Sequence, residues 1–257
     1  MATYNYPFPS LSWQYQGIDF AYISVTQELA NQMYADGIRI VGRYLYADRY
    51  PNGKGITAQE IQYYHNAGIS IYFYYEVNAN DALGGYQAGY DNGIDCLAEC
   101  TDLNVPQGTM IYCCCDTGVT DVQAQGVVMD YLEGFADALH DYNVGIYGGL
   151  NVVSACYDTF PDLYRCEDGT LGPPEFSPIN VRQWAIARNN QAKQDGYLRI
   201  DNITMDTNGF AQWRGYNVDI VSADDLTNMW GGGSPTPPTP PIPTHKELPI
   251  WMYLRLL

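Results

Sequence analysis

The sequence predicts a (β/α)8 barrel of the TIM type, carrying a proline-rich C-terminal extension. Short β-prone runs alternate with helix-like segments through the first 225 residues. The runs are nearly continuous apolar and aromatic stretches, as expected of parallel strands covered on both faces by crossover helices. About eight such repeats in this length suit a closed barrel better than an open sheet. The doubly wound alternative lacks its signatures, because no GxGxxG follows the first strand and no GxxxxGK[ST] occurs anywhere.

Taken in order, the first run is YQGIDFAYI, which contains Asp19. TQELANQMYADG follows with helical spacing and stops at Gly37, a C-terminal glycine. IRIVGRYL is the second strand, and TAQEIQYYHNAG opens on a Thr57–Glu60 capping box and closes at Gly68. ISIYFYYEVN ends at Glu76 and leads into a longer helical stretch over about residues 80–103. GTMIYCCCD ends at Asp116, and Thr120 with Gln123 forms a second capping box at the head of the next helix. NVGIYGG and NVRQWAI are further strands, YLRIDNITMD a weaker one, and GYNVDIVS the last, with Asp219 in it; ADDLTNMW reads as a short closing helix.

Three parts follow: a barrel over 1–230, a Gly/Pro-rich linker over 231–245 (GGGSPTPPTPPIPT, a flexible hinge and then a polyproline spacer), and an apolar peptide over 246–257. The final peptide, with its Trp, Met, Tyr and Leu, is too short to span a membrane. It either folds back on the barrel or docks on a protein partner or a neighbouring subunit.

With 29 acids against 12 bases the chain carries a net charge of −17, which argues against nucleic acid and anionic membrane surfaces as partners. No membrane span is present, and the N-terminal stretch has neither the basic nor the apolar region of a secretory signal. Seven cysteines and three histidines follow no zinc-binding spacing, so neither a metal nor a cofactor is expected. Cys156 and Cys166 bracket a loop that a disulfide would close in an oxidising setting. The triplet Cys113-Cys114-Cys115 reads as a buried strand. By the period of two, Cys114 shares a face with Tyr112 and Asp116, while Cys113 and Cys115 look toward the helices, in the direction of Cys96 and Cys100.

Barrel active sites lie at the C-terminal ends of the strands. Reading those ends gives Asp19, Glu76, Asp116 and Asp219 as candidate acids, and Arg43, Tyr44, Tyr75, Tyr147, Gln183 and Trp184 as candidate substrate contacts. A single acid at a strand end is often only a helix N-cap. Several acids with aromatic faces, with no histidine at a strand end and no GxSxG elbow, suit glycoside hydrolysis, in which a protonated and an ionised carboxyl flank an oxocarbenium-like centre.

GIDFAY, IRIVGRYL, ITAQEIQYYHNAGISIYFYYEVN, IYCCCDTG, VGIYGG and VRQWA together resemble the glycoside-hydrolase-like barrel family related to the barrel-type N-acetylmuramidases, over about residues 14–228. The resemblance implies a cell-wall glycan substrate, with Asp19 and Asp116 on matching acidic positions. It also implies an extracellular or phage-virion setting, the tail apparatus included. The muramidases carry an Asp-x-Glu pair at the fourth strand, where this chain reads Cys114-Cys115-Asp116. Two readings stay open: a peptidoglycan hydrolase with Asp116 as acid/base, or a non-catalytic glycan-binding or structural module anchored by its tail.

Overall fold

The structure, a computed structural model, describes residues 15–45, 54–167, 181–183, 198–223 and 226–231. Seven strands pair in parallel in chain order: β1 (Tyr15–Asp19), β2 (Ile40–Tyr44), β3 (Ser70–Tyr75), β4 (Met110–Cys115), β5 (Asn143–Gly148), β6 (Tyr164–Glu167) and β7 (Val181–Gln183). Three short strands, β8 (Ile203–Met205), β9 (Ala211–Trp213) and β10 (Tyr216–Asn217), form a separate antiparallel sheet. β11 (Asp219–Ala223) then runs antiparallel between β7 and β1 and closes the ring.

The fold is therefore mixed α/β with a curled parallel sheet, and it departs from the (β/α)8 pattern in its reversed eighth strand. Two segments account for the difference. The loop expected between Cys156 and Cys166 contains β6, whereas the weak strand expected at YLRIDNITMD supplies β8 of the side sheet. No helix spans the described residues 226–231; Trp230 instead makes an antiparallel bridge with Ile71. The linker beyond 231 and the 246–257 peptide lie outside the described residues.

Helices α1 (Gln27–Ala35), α2 (Ala58–Ala67), α3 (Gly85–Asp102), α4 (Asp121–Gln123), α5 (Met129–Ala138) and α6 (Leu150–Thr159) pack outside the sheet. Their starts follow the capping chemistry of the sequence. The Thr120–Gln123 box forms in full, and Thr57 accepts from the Glu60 amide. The Glu60 side chain does not reach back to complete its box, because it is taken by Arg43 and Tyr64. α3 and α5 lie unusually close: a Cβ at Gly89 would strike the Tyr131 carbonyl oxygen, and one at Gly134 the Tyr86 carbonyl oxygen.

Strand periodicity divides the core in two. Tyr72, Tyr74, Met110, Tyr112, Cys114, Cys166, Val181 and Val221 fill the barrel interior. Phe73, Tyr75, Ile111, Cys113, Cys115 and Ile146 face the helices, with Cys96, Cys100 and Cys156 in the same outer layer. The cysteine triplet is thus strand packing with the faces its spacing predicts. Cys156 and Cys166 lie on opposite sides of the sheet as free thiols, so the disulfide between them does not form.

The side sheet is pinned to α1 through Asp36, a buried carboxylate. It accepts from Trp213 Nε1 at 2.9 Å, from Arg214 Nε at 2.7 Å and NH2 at 3.0 Å, and from Asn202 Nδ2 at 2.9 Å. Burial alone would raise its pKa, but these donors and the guanidinium charge outweigh it and hold the carboxyl below its ordinary value.

Candidate active site

The C-terminal ends of the parallel strands open on one mouth. Inward parity along β1 to β5 brings Asp19, Tyr44, Glu76, Asp116 and Tyr147 to that end, and Asp219 stands opposite Asp19 in register. Asp219 begins its strand instead of ending it, yet the reversed direction of β11 still brings it to the mouth.

Asp19 is only 3% exposed and accepts from the Tyr74 hydroxyl at 3.3 Å. Room for it is made by Gly42, its register partner, where a Cβ would come within 2.8 Å of the Asp19 Cβ and 2.5 Å of the Tyr72 hydroxyl. Glu76, just past β3, pairs with Lys54 at 2.9 Å, and the Lys54 ammonium also sits 4.4 Å from the centre of the Tyr44 ring. Asp116 is exposed. Burial first, then the negative fields of Asp19, Glu76 and Asp116, push the Tyr44 phenol well above its ordinary value.

Cys114 is buried among them. Burial first, and then Glu76, Cys113, Asp116 and Cys166, push its thiol well above the ordinary value, so at neutral pH it is a protonated apolar neighbour and not a thiolate nucleophile. The Tyr74 ring is tilted at 5.4 Å from Tyr44 and edge-on at 5.3 Å to Tyr147, giving the mouth an aromatic floor.

Two expected contacts do not belong to this mouth. Arg43 is fully buried on the outer face of β2, where Nε donates to Glu60 Oε1 at 2.7 Å and Nη1 to the Phe20 carbonyl at 2.6 Å. Tyr75 faces the helices and packs on Phe135 at 5.8 Å. Both are adjacent in sequence to an inward residue, so the period of two excludes them from the interior. Gln183 ends β7 and Trp184 lies outside the described residues. Sequence reasoning missed Lys54, which comes from the loop after β2, and the interior pair Tyr72 and Tyr74. The tyrosine pair was legible from the same alternation that places Cys114; Lys54 was not.

Among the described residues no cluster of three or more His, Cys, Asp or Glu is arranged to hold a metal ion, and no helix is long and apolar enough to cross a membrane.

A family model described as the Rv2525c-like, glycoside hydrolase-like domain matches residues 31–221. The chain belongs to that family. Its fold is similar to that of the Mycobacterium tuberculosis Tat-secreted protein Rv2525c, crystallised in complex with L-tartrate, with a TM-score of 0.64 at 18% identity over 84% of this chain and 98% of that one. It is also similar to an uncharacterized B. stearothermophilus protein, with a TM-score of 0.55 at 16% identity over 84% and 100% of the two chains. At these identities the likeness is one of fold. No curated protein matches the chain.

Proposed function

We propose that the protein is a hydrolase of cell-wall glycan, with Asp116 as the proton donor to the glycosidic oxygen and Glu76 as its carboxylate partner. The observation that carries this reading is that Asp19, Glu76 and Asp116 stand at the C-terminal ends of three neighbouring parallel strands, with Lys54 bridging Glu76 at 2.9 Å and the Tyr44 ring at 4.4 Å. The glycoside hydrolase-like family supports the class of bond.

In this reading the Asp116 carboxyl gives its proton to the leaving oxygen as the glycosidic C–O bond breaks. Water adds to the anomeric carbon and loses a proton to the Glu76 carboxylate, and solvent exchange restores both groups. The buried charge of Asp19 favours the positive charge that develops on the sugar ring. Tyr44 and Tyr147 offer flat faces for the sugar, Asp219 extends the binding surface along the rim, and Gln183 and Trp184 are proposed as further substrate contacts on sequence grounds.

Purified cell wall incubated with the full chain tests this. Wild type should release muropeptides, and Asp116→Asn and Glu76→Gln should each lower the rate by about 10²-fold or more. A second reading, glycan binding without turnover, is favoured by one observation: a protonated Cys114 stands where the muramidase pattern places a carboxylate. Wild type that sediments with the wall but releases nothing would establish it and sink the hydrolase. We place the activity outside the cell or on a phage virion at the host surface, with residues 246–257 docking a protein partner. Mass spectrometry of culture supernatant and of purified virions tests that placement.

A further inference from the structure

We infer that Tyr72 and Tyr74 are positioning residues, which hold Asp19 as an ionised carboxylate at the mouth through a hydrogen-bond chain inside the barrel. The use of that charge in catalysis rests on the hydrolase reading above; the wiring does not.

Tyr74 Oη meets Asp19 Oδ2 at 3.3 Å, Tyr72 Oη at 3.0 Å and Cys166 Sγ at 3.4 Å. A phenol has one proton and two lone pairs. An ionised Asp19 can only accept, so the Tyr74 proton points to it. Tyr72 and Cys166 must then both donate to Tyr74, which satisfies every one of its sites. Each donor polarises the next, so the chain strengthens toward the carboxylate. A protonated Asp19 would have to send its own proton back toward Tyr74 and reverse the order.

The surroundings keep this wiring in one state. Burial first, then the field of Asp19, pushes the Tyr72 and Tyr74 phenols well above their ordinary values, so both stay protonated donors. Tyr72 stands edge-on to Tyr74 at 5.2 Å and to Tyr112 at 5.9 Å, which fixes both rings. The absent side chain of Gly42 leaves the space in which the Tyr72 hydroxyl and Asp19 approach each other. Among the described residues, the titratable groups that face Asp19 or its hydrogen-bond chain include Tyr44 from β2, Tyr72 and Tyr74 from β3, Cys166 from β6 and Asp219 from β11, with Lys54, Glu76 and Asp116 at the same mouth.

If the tyrosines only filled the interior, removing a hydroxyl would leave Asp19 unchanged. The Asp19 carboxyl carbon can be followed by NMR through a pH titration of the full chain, its signal assigned with Asp19→Asn. Tyr74→Phe keeps the ring and should raise the Asp19 midpoint by about one to two pH units, the loss expected for one hydrogen bond to a charged group. Tyr72→Phe should raise it by less, in the same direction, and provides the measurement if Tyr74→Phe fails to fold. Unchanged midpoints in folded variants would overturn the inference, even if muropeptide release continues. Shifted midpoints in a protein that releases nothing would uphold the wiring and remove the hydrolase reading instead.

Discussion

Replacing Arg43 with leucine should unfold the protein before it disturbs the mouth. Arg43 donates to both Glu60 carboxylate oxygens, at 2.7 and 3.4 Å, and to the Phe20 carbonyl at 2.6 Å, with its guanidinium 4.5 Å from the Phe20 ring centre. Without it, Glu60 is left only 7% exposed, with the Tyr64 hydroxyl at 2.8 Å still donating to it. Removing one partner of a buried ion pair costs about 3–5 kcal/mol, most of it the penalty of the stranded charge. At roughly 2–4 °C per kcal/mol for a domain of this size, Tm should fall by about 6–20 °C. Arg43→Lys should fall between, because one ammonium cannot serve both carboxylate oxygens and the Phe20 carbonyl. Arg43→Leu combined with Glu60→Leu should recover most of the loss, short of the Phe20 carbonyl's missing donor. Urea titration followed by tryptophan fluorescence, with thermal melts, measures all three. A loss for Arg43→Leu below about 1 kcal/mol, together with weakened wall binding, would refute the reasoning and return Arg43 to the mouth.

Acid should act partly through Asp36. Its carboxyl is held below the ordinary value in the folded chain, so its contribution is present above the unfolded value near pH 3.9 and is lost as the pH falls through the folded one. The urea midpoint of wild type should therefore drop more steeply below about pH 4 than that of Asp36→Asn, and parallel curves would count against the Arg214–Asp36–Trp213 cluster. The thiols should be silent in the native state. All seven are free and buried, and burial pushes Cys115 up to about 11 and Cys156, despite Arg165, to about 11. A chromogenic disulfide reagent at pH 8 should find almost no fast-reacting thiol until denaturant exposes all seven; rapid labelling of Cys114 would refute its burial among the acids.

What the sequence revealed and what it concealed follow one physical rule. A strand's apolar continuity shows that it is buried on both faces, and this was enough to place β1 to β5 and the acids at their ends. Continuity says nothing of direction. Asp219–Ala223 is as apolar inside as any parallel strand, and only its pairing with β1 and β7 shows that it is reversed. β6 escaped because Tyr164–Glu167 is four residues long with two charged side chains, indistinguishable in composition from the loop around it. In the site, the alternation that assigned Cys114 inward and Cys113 outward applies equally to Tyr44 and Arg43, and to Tyr74 and Tyr75. Arg43 drew attention as a charge at a strand end, but its partner is Glu60, on the helix that follows. Lys54 reaches Glu76 from the loop after β2, a meeting set by tertiary folding that no local pattern records.

Residues 228–230 close one pole of the barrel through the backbone. The Met110 amide donates to the Asn228 carbonyl at the start of β4, and Trp230 exchanges backbone hydrogen bonds with Ile71 near the start of β3. His65 meets the Trp230 ring edge-on at 4.8 Å and fixes it there. Asn228 and Trp230 therefore lie at the pole of the barrel where its parallel strands begin, while Glu76 and Asp116 stand at the pole where they end. Backbone closure at one pole and acidic side chains at the other are thus kept structurally apart, so a change in either need not disturb the other.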